Sequence, residues 1–202
     1  HITQLQASQK TIKTIHKAVM KTVNFNNSPI TPSKIICIGR NYEDHITELN
    51  NAIPEEPIIF CKPNSSITDT LYYFNDQTHY EAEITFIINN NAITGVGIGL
   101  DLTNRATQTT LKEKGLPWEK AKAFDKAAVF SDFISIPETL NLTLNFYHNT
   151  KLTQQAESKN MITTPLSLIK HIRSFMSIED GDIIMTGTPK GVGAYQQNDT
   201  LI

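Results

Sequence analysis

The sequence predicts an α+β protein that is mostly β, folded as a mixed sandwich or roll. Short apolar runs bounded by glycine, proline or asparagine outnumber the stretches with helical spacing. Strand-like and helix-like segments do not alternate as regular βαβ units, which disfavours a doubly wound parallel sheet. The length, 202 residues, suits a single domain with one sizeable core and an appendage.

The strands are predicted from apolar runs that end at turn-forming residues. They cover residues 34–39, 57–63, 79–88, 93–100 and 182–186, and a hairpin joins 140–147 to the residues from 151 onward. Three consecutive asparagines at 89–91 predict a turn between the third and fourth strands. The run 93–100 is rich in glycine, which permits close approach of another part of the chain.

Helical character is predicted in three places within the globular part. Residues 41–50 and 103–114 have helical character, and the second stretch ends near Gly115 and Pro117. A third helix begins at Thr164 and Pro165, a capping residue followed by proline in the first turn. Residues 1–22 predict an appendage with a lysine-rich surface helix, and the prolines of 28–33 predict a linker.

Composition excludes several classes of partner. Eighteen basic and 20 acidic residues give a net charge of −2, which does not favour nucleic acid or a membrane surface. No apolar run reaches the length of a membrane span. Cys37 and Cys61 lie in apolar strands without metal-binding spacing, which predicts buried thiols in a cytoplasmic protein.

Two glutamates, Glu81 and Glu83, are two positions apart in the predicted strand 79–88. Side chains at this spacing project from one face of a strand, where their like charges repel unless a cation lies between them. Carboxylate oxygens suit hard cations such as Mg²⁺, Mn²⁺ or Ca²⁺. On spacing alone, a solvated edge strand is the commoner explanation of a Glu-x-Glu pattern.

Asp101 follows the glycine-rich strand and is predicted to open the next helix. Asp101, Arg105 and Gln108 would then share one helix face, at positions i, i+4 and i+7. A carboxylate at a helix N-terminus that pairs with an arginine one turn later needs no ligand to explain it. This pattern alone therefore favours a structural role for Asp101.

Three further features could carry chemistry. His45 and Glu48 are three positions apart, and an imidazole oriented by a carboxylate can take a proton from water. A surface histidine–glutamate pair is the simpler alternative. Lys122 has small and apolar neighbours, so it could be an enclosed cation that stabilises an enolate, or a surface lysine with a buried stem. The loop 187–193 could present backbone N–H groups to a carboxylate, but it lacks the trailing residues of a P-loop.

Six segments in one order give these features a common explanation. They are residues 38–42 with His45, 60–63, 79–83, 100–105 with Gln108, 114–118 with 121–124, and 181–193. Together they closely resemble the fumarylacetoacetate hydrolase family over about residues 23–202. The Lys-Gly-Leu-Pro-Trp segment resembles the short acylpyruvase and oxaloacetate decarboxylase branch in particular.

The resemblance implies a mixed β-sandwich roll in a catalytic domain over 23–202, preceded by the appendage 1–22, and usually a homodimer. It implies Mg²⁺ or Mn²⁺ held by Glu81, Glu83 and Asp101, with a small 2-oxo acid as substrate. The metal would serve as an electron sink while a C–C bond breaks, in acylpyruvate hydrolysis or oxaloacetate decarboxylation. Keto–enol tautomerisation of oxaloacetate would use the same electron sink.

The resemblance also implies roles for individual side chains. His45, oriented by Glu48, would activate water, and Lys122 would hold an enolate or a leaving carboxylate. The residues implied to contact substrate or to position the site are Arg40, Arg105, Gln108 and Thr188.

The chain departs from the family's pattern in three places. The stretch between Glu83 and Asp101 is shorter, Ala106 replaces an acidic residue, and we expect a further C-terminal strand or two beyond Ile202. Two alternatives stay open: an isomerase or decarboxylase of 2-hydroxymuconate-like acids in aromatic catabolism, and a non-catalytic metal and carboxylate binder. A binder or an isomerase has less need of the His45–Glu48 pair.

Overall fold

The computed structural model describes residues 19–48 and 53–202. The strands are β1 (Val23–Phe25), β2 (Ser28–Ile30), β3 (Lys34–Gly39), β4 (Ile58–Pro63), β5 (Ile67–Thr68), β6 (Thr78–Tyr80), β7 (Ala82–Asn89), β8 (Ala92–Asp101), β9 (Thr103–Asn104), β10 (Ala128–Phe130), β11 (Ile134–Ser135), β12 (Thr143–His148), β13 (Lys151–Glu157), β14 (Ile183–Met185) and β15 (Gly193–Ala194). The helices are α1 (Glu43–Glu48), α2 (Arg105–Glu113), α3 (Glu119–Lys122) and α4 (Pro165–Ile172). Most of the predicted appendage 1–22, with its surface helix, lies outside the described residues.

A mixed sheet forms the centre of the molecule. Its strands follow the order β4-β3-β14-β7-β8-β10-β5, and β11 pairs with β8 at one end. Strand β14 runs parallel to β3, and β10 runs parallel to β5, whereas the other neighbours are antiparallel. Smaller sheets are formed by β1-β2, β12-β13 and β15-β6-β9. This architecture confirms the mostly-β, mixed-sheet prediction.

The central sheet buries apolar side chains on both faces because successive side chains along each strand point to opposite faces. Along β3, Ile36 and Ile38 belong to one core cluster, and Ile35 and Cys37 belong to the other. The first cluster packs under the β12-β13 hairpin and α4, whose Leu168 is fully buried. A sheet covered on both faces requires the near-continuous apolar runs from which these strands were predicted.

Strands β7 and β8 form a long hairpin at the middle of this sheet. Their tight turn contains Asn90 and Asn91, both with positive φ, at 49° and 61°. Asparagine tolerates this conformation better than most residues, as the asparagine run predicted. Along β8, a Cβ atom on Gly97 would lie 2.9 Å from the Phe133 ring, so glycine permits that ring to pack on the strand.

The structure corrects two predictions about the acidic residues. The strand predicted over 79–88 is interrupted at Glu81, which lies between β6 and β7, two strands of different sheets. Asp101 does not open a helix: it is the last residue of β8, and α2 begins at Arg105 with Asn104 as its cap. The helix signal was extended too far toward the N-terminus because Thr103 and Asn104 form a short strand first.

The predicted linker 28–33 is also partly wrong. Residues Ser28–Ile30 form β2, which pairs antiparallel with β1. Pro29 is tolerated there because β2 is an edge strand that pairs with β1 on one side and with no other described strand. By contrast, the β12-β13 hairpin and the start of α4 are confirmed, with Thr164 accepting a hydrogen bond from the Ser167 N–H. Among the helices that the structure describes, none is long and apolar enough to cross a membrane.

Candidate active site

Three buried carboxylates meet where β7 and β8 lie side by side. Glu81 precedes β7, Glu83 is its second residue, and Asp101 ends β8. The Asp101 N–H donates to the Glu81 carbonyl at 2.9 Å, which fixes the two residues across the hairpin. One carboxylate oxygen from each residue lies within 4.8 Å of the others, and the three residues are only 5%, 1% and 1% exposed.

Three cations surround these carboxylates. The Lys122 ammonium donates to Glu81 Oε2 at 2.8 Å, to Asp101 Oδ2 at 2.7 Å and to the Thr103 hydroxyl at 2.6 Å. Arg105 donates to the other oxygen of Glu81. The Lys62 ammonium lies 2.8 Å from Asp101 Oδ1. Glu81 and Asp101 therefore share the Lys122 ammonium, and none of these three cations contacts Glu83.

The electrostatics of the two glutamates differ accordingly. Burial alone would raise the pKa of Glu81, but the Lys122 and Arg105 cations outweigh it and hold that pKa well below its ordinary value. Burial raises the pKa of Glu83 well above its ordinary value, and the carboxylates of Asp101 and Glu81 raise it further. Glu83 is thus the member of the cluster whose charge is least compensated by this chain.

Lys122 stays charged in this environment. Burial by itself lowers the pKa of a lysine, but the Asp101 and Glu81 carboxylates raise the pKa of Lys122 above its ordinary value. The enclosed lysine that the sequence suggested is therefore present, only 3% exposed and paired with two acids. An ammonium held in this way can stabilise negative charge but cannot serve as a base near neutral pH.

A glycine-rich loop holds Glu83 from the other side. The Gly187 N–H donates to Glu83 Oε2 at 2.7 Å, at a backbone φ of +99°. A side chain there would also collide with Asn41, since a Cβ atom would lie 2.8 Å from the Asn41 Cβ. The Thr188 hydroxyl donates to the Ala82 carbonyl at 2.9 Å, which ties the loop to β7.

The predicted histidine–glutamate pair is formed on α1. His45 Nδ1 lies 3.1 Å from Glu48 Oε2, and His45 is only 5% exposed. The other oxygen of Glu48 accepts the Gly191 N–H at 2.9 Å, so the loop after β14 also orients this pair. Because a carboxylate only accepts, Nδ1 carries the proton in this contact and leaves Nε2 as the basic nitrogen.

One cavity, about 30 Å³ in volume, brings most of these groups together. The predicted site residues that line it are Arg40, His45, Glu81, Glu83, Asp101, Arg105, Gln108, Lys122 and Thr188. Glu48 does not line it and reaches it only through His45. The roles assigned to these residues from the resemblance stay predictions.

Sequence reasoning missed four residues at or beside the cavity. Lys62 is fully buried against Asp101, although its segment 60–63 was recognised only as a motif. A lysine inside a buried strand almost always requires an anionic partner, and that signal could have identified it. Lys112 and Trp118 line the cavity, and the Gln154 amide donates to the Thr188 hydroxyl at 2.8 Å. No local pattern marks Gln154, because its partners are 34 or more residues away.

The acidic cluster has the chemistry of a site for a divalent cation. All three donors are carboxylates, the hard oxygen ligands that such cations prefer. Two of them already converge on the Lys122 ammonium, so the cluster is arranged around positive charge. Glu83 is buried beside two other carboxylates, so a cation bound next to it would relieve the repulsion among them.

Comparison with known proteins gives relatives over most of the chain. An oxaloacetate tautomerase of Escherichia coli K12 is 38% identical over 189 residues, covering 84% of this chain and 86% of its own. The mitochondrial oxaloacetate tautomerase of Homo sapiens is 33% identical over 186 residues, covering 83% and 84%. A solved structure from Oleispira antarctica, provisionally assigned as a fumarylacetoacetate isomerase/hydrolase, is 38% identical, with a TM-score of 0.84 over 90% of this chain and 92% of that one.

The model of the fumarylacetoacetate hydrolase C-terminal domain family matches residues 34–202. That range includes the carboxylate cluster, the histidine–glutamate pair and every residue that lines the cavity. The chain therefore belongs to the fumarylacetoacetate hydrolase family.

Proposed function

We propose that this chain is a divalent-metal-dependent enzyme that enolises a small 2-oxo acid, with keto–enol tautomerisation of oxaloacetate as its reaction. The observation that carries the proposal is the convergence of three buried carboxylates and a buried histidine on one cavity. Relatives that are oxaloacetate tautomerases and span most of the chain support this choice of reaction.

Glu81, Glu83 and Asp101 would hold the metal, which we propose to be Mg²⁺ or Mn²⁺. A cation bound there would polarise the 2-oxo carbonyl as a Lewis acid, which makes the adjacent carbon more acidic. Arg105 and Lys62 each contact one of these carboxylates on the side away from Lys122, so they fix the carboxylate orientations before any ligand arrives.

His45 is the group we propose to move the proton. Its Nε2 would accept a proton from the carbon next to the carbonyl, and the enol would form when that proton passes to the carbonyl oxygen, directly or through water; the reverse sequence regenerates the keto form. The Glu48 carboxylate holds the ring in this tautomer and stabilises the imidazolium while it carries the proton. Lys122, which stays charged, would stabilise the negative charge that develops on the substrate oxygen.

Acylpyruvate hydrolysis is a second candidate, and the same histidine–glutamate pair favours it. A ring that takes a proton from carbon could take it from water instead, so that a hydroxide attacks the distal carbonyl and a C–C bond breaks. Oxaloacetate decarboxylation would need no attacking water. Tautomerisation and hydrolysis therefore differ in what His45 deprotonates, whereas the same carboxylate cluster would serve all three reactions.

One assay separates these outcomes. The enol content of oxaloacetate, acetylpyruvate loss and pyruvate formation would be followed by absorbance with Mg²⁺, with Mn²⁺ and with EDTA. We expect metal-dependent equilibration of the oxaloacetate tautomers, which EDTA abolishes. Dominant metal-dependent loss of acetylpyruvate would favour the hydrolase, and a metal-loaded protein without effect on any of these would contradict the proposal.

The histidine supplies a matched variant for this assay. His45→Gln should lower the tautomerisation rate by about 10²-fold or more, the range of a general base, while Mn²⁺ binding persists. His171→Gln, on α4 and outside the cavity, is the control and should leave the rate unchanged. An unaffected rate in His45→Gln would remove the imidazole from the mechanism.

A further inference from the structure

Lys112 lies on the same helix face as two predicted site residues. Arg105, Gln108 and Lys112 follow one another on α2 at positions i, i+3 and i+7. All three line the cavity that contains the carboxylate cluster. Arg105 and Gln108 are joined by a 2.7 Å hydrogen bond, so they form a fixed surface next to the lysine.

Lys112 differs in its partners from Lys122 and Arg105, two other cations of the cavity wall. Lys122 and Arg105 each contact a carboxylate of the cluster. Within the described part of the chain, Lys112 has no hydrogen bond or ion pair with a carboxylate, and its ammonium lies 5.0 Å from the centroid of the Trp118 ring. Trp118 in turn packs against Phe60, with ring centroids 5.8 Å apart. The Lys112 ammonium thus lies over the Trp118 ring and is not paired with a described carboxylate.

The environment of Lys112 is electropositive and only partly solvated. Burial, together with the cations of Arg40 and Arg105, lowers its pKa to about 8, and the Glu81 carboxylate opposes this shift only in part. A half-buried cation beside two others is stabilised when an anion joins it, and no carboxylate of residues 19–48 or 53–202 contacts the Lys112 ammonium. The missing anion is therefore expected to come from the ligand.

We infer that Lys112 binds a second carboxylate of the substrate, so that the site selects 2-oxo acids with a carboxylate at each end. The carboxylate next to the keto group would lie at the acidic cluster with its metal, and the distal carboxylate would reach the ammonium above Trp118. This inference rests on the proposed function, and it makes Lys112 a residue of substrate specificity rather than of the chemical step.

Two unreactive acids test the inference without turnover. L-malate and L-lactate share a 2-hydroxy-acid head and differ in the distal carboxylate. Calorimetric titration of the Mn²⁺-loaded protein should show malate binding about tenfold or more tightly than lactate, as expected for a charge-assisted hydrogen bond. Lys112→Gln should lose this preference by weakening malate alone, and Lys112→Arg should retain most of it.

The control is Lys114→Gln, which removes the same charge from an exposed position just after α2. It should keep the malate preference, which excludes a general effect of net charge. Equal affinities for the two acids in the unmodified protein, or a full preference in Lys112→Gln, would overturn the inference. If the protein tautomerises oxaloacetate but Lys112→Gln leaves the malate affinity unchanged, only this inference is refuted. If the protein prefers malate but does not act on oxaloacetate, only the proposed function is refuted.

Discussion

Two buried acidic sites in this molecule contrast sharply. Asp182, which precedes β14, is fully buried, as the three carboxylates of the cluster are. Its Oδ1 accepts the Ser33 hydroxyl at 2.6 Å and the backbone N–H groups of Ser33 and Lys34. Its Oδ2 accepts the Glu179 N–H at 2.8 Å and pairs with the Lys34 ammonium. A single carboxylate thus receives five donors from the chain around it.

The cluster shows the opposite arrangement. Glu83 receives a backbone N–H from Gly187, but no cation is paired with it among the described residues, and two other carboxylates lie beside it. When the chain folds, a buried acid surrounded by donors already has all the hydrogen-bond partners that it needs. A buried acid that faces like charges is stabilised when a proton or a cation binds to it, and we expect this difference to separate a structural carboxylate from a functional one.

The strongest test of this contrast is Glu83→Gln. Changing a residue that only orients a metal ligand costs about 10–100-fold in affinity, so loss of a ligand should weaken Mn²⁺ binding by at least about 100-fold. The free energy of unfolding without metal should not fall, because the amide removes one of three crowded charges. Calorimetry with Mn²⁺ and urea denaturation in EDTA would measure the two effects.

The matched control for this variant is Glu138→Gln, at an exposed position. It should change neither Mn²⁺ affinity nor stability. A clear loss of stability in metal-free Glu83→Gln would show that the Glu83 carboxylate is a structural group like Asp182, and the contrast would fail.

The second test reverses the roles. Asp182→Asn should lower the free energy of unfolding by about 2 kcal/mol, because hydrogen bonds to a charged group contribute about 1.5–3 kcal/mol and an amide cannot satisfy all five donors. Mn²⁺ affinity of the folded protein should stay within about threefold of the original, since Asp182 does not line the cavity. Weakened Mn²⁺ binding in this variant would mean that the two acidic sites are coupled through β14.

The smallest effect concerns pH. Burial alone would raise the pKa of Asp182, but the Lys34 ammonium, the Ser33 hydroxyl and two backbone N–H groups hold it below its ordinary value. A depressed folded-state pKa stabilises the fold above the unfolded-state pKa, and this contribution is lost as the pH falls through the folded-state value. The stability difference between the original protein and Asp182→Asn should therefore be constant near neutral pH and shrink below about pH 4. A difference that grows on acidification would contradict this assignment.

The main strands could be predicted from sequence because both faces of the sheet are buried. Apolar runs such as 34–39 and 182–186 are long enough to identify without any tertiary information. Strand β10 and helix α3 were not predicted, since three or four residues are too few to show a periodic pattern. The interruption at Glu81 was not predicted for another reason. Strand β6 pairs with β9 and β15 rather than with the central sheet, and only tertiary contacts determine this difference.

The candidate site was predictable only in part for a similar reason. His45 and Glu48 are close in sequence, so their contact follows from helical spacing. Lys62 and Lys122 reach Asp101 from segments 39 and 21 residues away, which spacing alone cannot foresee. The position of Lys112 over Trp118 also depends on how α2 packs against the residues that precede α3.

The turn at Asn90 and Asn91 is far from the cavity, yet it helps to determine the geometry of the acidic cluster. Together with the shift in pairing between Ile87 and Ile88, it sets the alignment of β7 with β8, in which Glu83 lies opposite Gly99 and Glu81 lies beside Asp101. Side chains alternate between faces along a strand, so a slip of one residue at the turn would send Glu83 to the opposite face of the sheet. Two asparagines about 23 Å along the strand from Glu83, at about 3.3 Å per residue, thus help to align a candidate metal site that they do not contact.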